Sequence, residues 1–245
     1  MSDREKRHRV SREDVINNAR ESGSNKRWFK LPAGIREWWP DKAGTFRLDF
    51  VPYEVKIDNH PDRVTRKSIW YKYPFRVHNQ IGPNNASVIC PTTLGKPCPI
   101  CEEVAKLKKD WDGNKDAIAG IRAKEMTAMI VIDPADAKKY AIFAYSNSKF
   151  AQVLLDEIKE KPKDALFYDV TSDGRTVAVR FADESFQGRK FLQANRIDFE
   201  TRDEMDEDKV LAATPCLDEI FQVHGGCESG VSQVSVRCKS GVSQV

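Results

Sequence analysis

Three of the six cysteines fall in one short segment, CPTTLGKPCPIC at positions 90–101. A Cys-x2-Cys turn lets two thiolates bind one metal ion, and the prolines and glycine stiffen the loop before the metal binds. The segment therefore predicts one structural zinc ion held by Cys90, Cys98 and Cys101. A closed tetrahedral site needs a fourth ligand. We favour His78, at the end of an aromatic strand, over His60, which lies in a predicted loop.

Other readings of these cysteines fit the sequence less well. A thioredoxin-like redox pair would not require Cys90, and unliganded buried thiols would not require the spacing. A zinc-dependent nucleobase deaminase combines His-x-Glu with a later Pro-Cys-x-x-Cys. Here Asn79-Gln80 follows His78, and Cys90 would fill the position that a catalytic zinc leaves open for water. Phosphate-binding glycine loops, Gly-x-Ser-x-Gly and His-Glu-x-x-His are also absent from the sequence, so we do not expect an enzyme.

Composition places the chain among soluble globular proteins. Of its 245 residues, 31% are charged and 40% hydrophobic, and no apolar run approaches the roughly 18 to 20 residues that span a bilayer. The start, MSDREKRHRV, lacks the apolar region of a secretory signal. We therefore expect a cytoplasmic protein without a membrane partner, whose cysteines are metal ligands or free thiols rather than disulfides.

Charge is unevenly distributed along the chain. Residues 1–197 carry 36 basic and 27 acidic side chains, whereas residues 198–245 carry 4 basic and 10 acidic ones. A basic body with an acidic end suits a protein that binds a polyanion, although ordinary solvated surface gives the same totals.

Hydrophobic periodicity predicts a mainly β protein with a few helices. The segment 45–51 alternates, with Phe46, Leu48 and Phe50 on one face, and Pro74 marks an edge strand or bulge. The remaining predicted strands are 69–77, a hairpin of 126–132 with 140–145, 166–170, 176–181 and 190–192. Predicted helices begin near Ser11, at Ser148 and at Leu217, and SGVSQV occurs twice in a tail.

Aromatic and basic residues are interleaved at three places. Single-stranded nucleic acid binds where cations follow the phosphates and flat side chains stack on bases. A single aromatic residue at such a place is more often part of the core. The candidates are Arg63, Arg66, Lys67, Trp70, Tyr71, Lys72, Tyr73, Phe75 and Arg76, then Arg122, Lys124, Phe143 and Tyr145, and finally Phe186, Arg189 and Lys190.

The order of these features resembles that of the single-stranded DNA-binding (helix-destabilising) proteins of T-even-type bacteriophages. The matching segments run over about residues 5–221. They are the basic arm Lys6-Arg7-His8-Arg9-Val10-Ser11, then Trp28–Leu31 and Phe46–Pro52, then His78, Cys90, Cys98 and Cys101, and finally Met129–Pro134, Tyr140–Tyr145 and Lys190–Leu192.

The resemblance implies an OB-fold barrel with an inserted zinc-binding subdomain. The core would span 25–200 with the subdomain at about 60–112, between an arm at 1–24, an acidic stretch and terminal helix at 201–224, and a tail at 225–245. It also implies a DNA cleft between barrel and subdomain, with bases stacked on Phe143 and Tyr145. Lys124-Glu125 stands where the family carries an aromatic pair, so only a phosphate contact is expected there.

The functional expectation is sequence-tolerant, cooperative binding of single-stranded DNA in phage replication, recombination and repair. Lys6, Arg7 and Arg9 would mediate self-association along the strand, in the cytoplasm of an infected bacterium. Phage replication proteins are expected as further partners. The alternative from another class is a zinc-stabilised adaptor that binds proteins and not DNA.

Overall fold

A computed structural model of the chain describes residues 31–82, 86–134, 139–186 and 188–225. The arm with Lys6, Arg7 and Arg9, the helix predicted from Ser11 and the repeated tail lie outside the described residues. Within the described part, no helix is long and apolar enough to cross a membrane.

The architecture is mainly β: a curled half-barrel sheet with a few helices around it. The strands in spatial order are β1 (Arg36–Glu37), β8 (Tyr140–Ser146), β7 (Lys124–Ile132), β2 (Gly44–Val51), β9 (Arg175–Phe186) and β10 (Arg189–Thr201). β5 (Lys72–Ile81) also pairs with β7, and β6 (Ala86–Ile89) pairs with β5. β3 (Tyr53–Glu54) and β4 (Ile69–Trp70) form a separate small pair.

The sheet is buried on both faces, which explains why its central strands are so apolar. Along β7, Ile130 and Ile132 pack into one core, while Met129 and Val131 pack into the other. Side chains of a strand alternate between faces, so a strand covered on both sides reads as a continuous hydrophobic run. Phe50 and its partners in β2 fill the second core, as the alternation of that segment predicts.

Strand predictions from the sequence are confirmed with one exception. The hairpin of β7 and β8 is antiparallel from Met126 opposite Ser146 to Ile132 opposite Tyr140. Pro74 pairs only with β7, because β6 joins β5 further along, so this proline faces an open edge. The strand predicted at 166–170 is wrong: these residues form turns, and the periodic signal came from Phe167, which is buried in the second core.

Five α-helices pack around the sheet among the described residues. They are α1 (Pro99–Leu107), α2 (Trp111–Ile121), α3 (Ala151–Glu160), α4 (Glu207–Ala213) and α5 (Leu217–Gly225). The predicted helix start at Ser148 is wrong, because Asn147–Lys149 form a 3₁₀ turn and Phe150 precedes α3. The terminal helix predicted from Leu217 is confirmed as α5.

Helix α5 is anchored to the first core at its buried polar start. The Asp218 carboxylate accepts hydrogen bonds from the backbone N–H of Lys56 at 2.7 Å and from the Tyr53 hydroxyl at 3.3 Å. One turn later, Phe221 stacks on Tyr73 with ring centroids 4.1 Å apart. The acidic C-terminal stretch of the sequence is therefore in part a docked helix.

Candidate metal centre and the adjacent groove

One cluster of potential metal ligands stands out among the described residues: His78, Cys90, Cys98 and Cys101, whose ligand atoms all lie within 4.8 Å of one another. His78 Nε2 is 3.4 Å from Cys98 Sγ and 3.5 Å from Cys101 Sγ. Cys90 Sγ is 3.5 Å from Cys101 Sγ. Strand β5 supplies the histidine, the segment between β6 and α1 supplies Cys90 and Cys98, and the first turn of α1 supplies Cys101.

These distances fit a tetrahedral ion. With metal–sulfur bonds near 2.3 Å and metal–nitrogen bonds near 2.1 Å, neighbouring ligands stand about 3.6 to 3.8 Å apart. The imidazole is also oriented for binding, because its Nδ1 lies 2.8 Å from the Ile121 carbonyl oxygen at the end of α2. Donation of the Nδ1 proton to that oxygen leaves the Nε2 lone pair facing the thiols.

The local sequence builds the thiol side of the cluster. The Cys90 amide donates to the Arg76 carbonyl at 2.7 Å, which ties the loop to β5. Gly95 adopts φ 69°, a left-handed conformation that closes the 3₁₀ turn Pro91–Leu94. Cys98 precedes α1, and backbone amides of the first helical turn donate to its sulfur. Pro91 and Gly95 therefore begin and close the tight turn that separates Cys90 from Cys98.

The acidities of the thiols show why the cluster suits a cation. Burial disfavours the Cys90 thiolate, but hydrogen bonds with His78 and Thr92 outweigh it and lower the pKa of Cys90 to about 6. Burial and the neighbouring Cys90 sulfur raise the pKa of Cys101 to about 12. Burial likewise raises the pKa of Cys98. Without a cation, one thiolate suppresses the next, and a bound divalent metal is the charge that allows all three to ionise together.

His78 is confirmed as the fourth member of the cluster, and His60 is not part of it. The His60 ring is buried elsewhere, with Nε2 2.8 Å from the Tyr53 hydroxyl and Nδ1 accepting from the Asp62 amide at 3.1 Å. Four protein ligands would close a tetrahedral ion and leave no position for a reactive water. That arrangement is typical of a structural metal site, not of a catalytic one.

A groove of about 380 Å³ lies beside the cluster, between the two helices α1 and α2 and the paired strands β5 and β7. Cys101 forms part of its wall, so the metal centre and the groove share one residue. The indole of Trp111, 45% exposed, lies in the lining. The charged residues that line the groove are Arg76, Lys108, Arg122 and Glu125, of which Arg76 and Glu125 form an ion pair at 3.4 Å.

The structure separates the basic residues predicted for nucleic acid. Arg76 and Arg122 meet at the groove, and the exposed Lys124 follows Arg122 by two residues. Arg63, Arg66 and Lys67 are exposed on the loop between β3 and β4, where Arg66 faces Asp58 at 3.9 Å. Lys72 lies 3.5 Å from Asp62, which also accepts the Trp70 indole N–H at 2.9 Å.

Five of the aromatic candidates for base stacking are buried, and that prediction is wrong for each: they are Tyr71, Tyr73, Phe75, Phe143 and Tyr145. Tyr73 is 1% exposed beneath Phe221, and Phe143 is 0% exposed. Tyr71 stacks on Tyr168 with centroids 4.6 Å apart. Tyr145 is also buried, and its hydroxyl donates to the Leu192 carbonyl at 2.6 Å. Both faces of the sheet are covered by protein, so alternation along these strands directs aromatic rings into one core or the other.

The third predicted cluster lies on the hairpin of β9 and β10. Phe186, at the end of β9, is 68% exposed, and Lys190 is exposed on β10. Lys149, which the sequence did not single out, places its ammonium 3.3 Å from the centre of the Phe191 ring. The hairpin therefore retains exposed residues of both kinds.

Lys108 and Trp111 were missed because neither lies within a predicted strand. A signal was present: the segment KLKKDW at 106–111 places a tryptophan two residues after a basic run and ten residues after the last cysteine of the cluster. No protein-family model matches this chain, and no curated protein matches it significantly.

Proposed function

We propose that this chain is a sequence-tolerant single-stranded DNA-binding protein and not an enzyme. The groove beside the metal cluster carries the proposal: Trp111 is exposed there, with Arg76, Lys108 and Arg122 around it. Unpaired bases present flat faces that stack on an aromatic ring, and the surrounding cations neutralise the phosphates. In a duplex those faces are covered by stacking on the neighbouring base pairs, so the groove favours single strands.

The metal in this proposal is one zinc ion. Three thiols and one imidazole are the ligand set that zinc takes in closed structural sites. The ion joins β5, the loop at 90–98 and the start of α1. Because Cys101 lines the groove and Ile121 holds the His78 ring, the ion fixes the position of α1 and α2 against the sheet. Zinc thus maintains one wall of the binding groove.

The proposal extends to the fold family, the biological process and the partners of the chain. The half-barrel sheet with a metal-bound insertion between β5 and β7 is consistent with an OB-fold barrel of the phage helix-destabilising type. On that basis the chain acts in phage DNA replication, recombination and repair, in the cytoplasm of the infected host. Lys6, Arg7 and Arg9 are proposed to link neighbouring molecules on the strand, and phage replication proteins are proposed as partners.

Fluorescence anisotropy with labelled oligonucleotides tests the proposal. Metal-loaded protein is titrated into (dT)12 and into a twelve-base-pair duplex at several salt concentrations. We expect tighter binding to the single strand and a linear fall of log K with log salt, with a slope near −0.7 for each phosphate contact. Equal binding to duplex and single strand, or no binding at low salt, would contradict the proposal and favour a protein-binding adaptor.

A further inference from the structure

A second cationic site lies where the 3₁₀ turn Asn147–Lys149 meets β10. The Lys149 ammonium lies over the Phe191 ring at 3.3 Å from its centre. A cation over an aromatic face is attracted by the negative face of the ring. Phe191 therefore holds a long, otherwise flexible side chain in one position.

The β9–β10 hairpin is built to reach this turn. β2 pairs with β9 only as far as Gly44 opposite Phe181, so residues 182–186 pair with β10 alone. The register shifts between Ala194 and Arg196, and such a bulge bends a strand. The hydrogen bond from the Tyr145 hydroxyl to the Leu192 carbonyl then fixes the hairpin to β8. The strand pairing, the bulge and this hydrogen bond together bring Phe191 of β10 against Lys149.

The charge at this site has no acidic counterpart among the described residues. Burial lowers the pKa of Lys149, and the positive charge of nearby Lys124 lowers it further. No ion pair is found for either lysine within the described part of the chain. Two cations held together in this way are stabilised by a bound anion.

The site is continuous with the groove. Arg122 lines the groove, and its backbone is extended at φ −57° and ψ 143°. The exposed Lys124 follows two residues later as the first residue of β7, and this end of β7 contacts the turn Asn147–Lys149. Met126 pairs with Ser146 there, and the Thr127 hydroxyl donates to Asn147 Oδ1 at 2.6 Å. Arg122, Lys124 and Lys149 thus form one basic path from the groove to the hairpin.

We infer that Lys149, with Lys124, is a second phosphate-contact site, which binds the backbone of a strand that leaves the groove past Arg122. Phe191 is a positioning residue that acts through Lys149. The inference rests on the proposed function and adds to it: a strand too short to leave the groove does not use this site, and a longer one does.

The test compares (dT)4 with (dT)12 on the full-length, metal-loaded protein, using Lys149→Gln. One phosphate contact contributes about 0.7 to the salt slope of a single strand, which corresponds to about fivefold in affinity at 0.1 M salt. We expect Lys149→Gln to lose about fivefold on (dT)12, with a slope about 0.7 shallower, and to bind (dT)4 like the wild type. Phe191→Leu should reproduce the loss, whereas Phe191→Tyr, which keeps the ring, should retain wild-type binding.

Lys159→Gln is the matched control, because it removes the same charge from an exposed lysine of α3 that is paired with Asp156 at 3.0 Å. If Lys149→Gln and Lys159→Gln lose the same affinity for (dT)12, the effect comes from net charge alone, and the inference is overturned. Equal losses on both oligonucleotides, or none on either, would overturn it as well. A wild-type protein that binds neither oligonucleotide would refute the proposed function itself, which is a separate result.

Discussion

Replacing Trp111 with alanine is the sharpest perturbation of the proposed groove. The indole is 45% exposed beside three cations, so its free face is available for a base. Stacking contributes roughly 1–3 kcal/mol per base, which corresponds to a loss of about 5-fold to 160-fold in affinity. We expect Trp111→Ala to lose affinity for (dT)12 within that range, and Trp111→Phe, which keeps a smaller ring, to lose less.

The same substitution has a cost in stability that must be measured separately. A tryptophan buries about 150–250 Å² when it is fully enclosed. The Trp111 side chain is about half enclosed, so it buries about 100 Å² when the protein folds. At 25 cal/mol per Å², loss of that burial lowers the free energy of unfolding by about 2.5 kcal/mol. Thermal melting and metal content should therefore be recorded for each variant, and binding measured well below the melting temperature.

Trp39 provides the control for the Trp111 series. It is 37% exposed, lies outside the groove and packs on Tyr145 with ring centroids 5.6 Å apart. Trp39→Ala should leave the affinity for (dT)12 close to that of the wild type. The reasoning is refuted if Trp111→Ala binds as tightly as the wild type, or if Trp39→Ala weakens binding to the same extent.

Three further predictions concern the ligands, pH and the arm. His78→Ala should lose the bound metal in elemental analysis, whereas His60→Ala should keep one ion per chain; the opposite pattern would reverse the ligand assignment. Burial lowers the pKa of His60 despite Asp218 and Asp62 nearby, so its contribution to folding is complete above pH 6.5 and lost as pH falls below it. Urea titrations of the wild type should show the free energy of unfolding falling over that window, and His60→Gln should flatten the dependence. Deletion of residues 1–10 should spare binding to short oligonucleotides but reduce cooperativity on long strands, and equal losses on both would argue against self-association through the arm.

The metal cluster could be predicted because its information is local. Cys90, Cys98 and Cys101 lie within one segment of the sequence, and only His78 had to be chosen from elsewhere. The choice succeeded because His78 lies within β5, opposite Val88 of β6, the strand directly before the cysteines. The environment of His60 could not be assigned from sequence, since its neighbour Asp218 is supplied by the distant helix α5.

The exposed aromatic residue of the groove, Trp111, could not be predicted in the same way. Alternation separates two faces of a strand, and it identifies the exposed one only where one face meets water. Here both faces are buried, so Tyr73 and Phe143 enter separate cores although both lie in aromatic, strand-like segments. Trp111 is exposed because β5, α1, α2 and β7 leave a gap between them, and no single segment of sequence encodes that gap.

Metal removal followed by strand binding on the same sample tests the central claim most directly. The protein is assayed for zinc, titrated with (dT)12, then treated with a chelator under reducing conditions and titrated again while circular dichroism follows the sheet. The account predicts one zinc per chain, and weaker binding after chelation that returns when zinc is restored. Full affinity for (dT)12 in a folded protein without metal would contradict it.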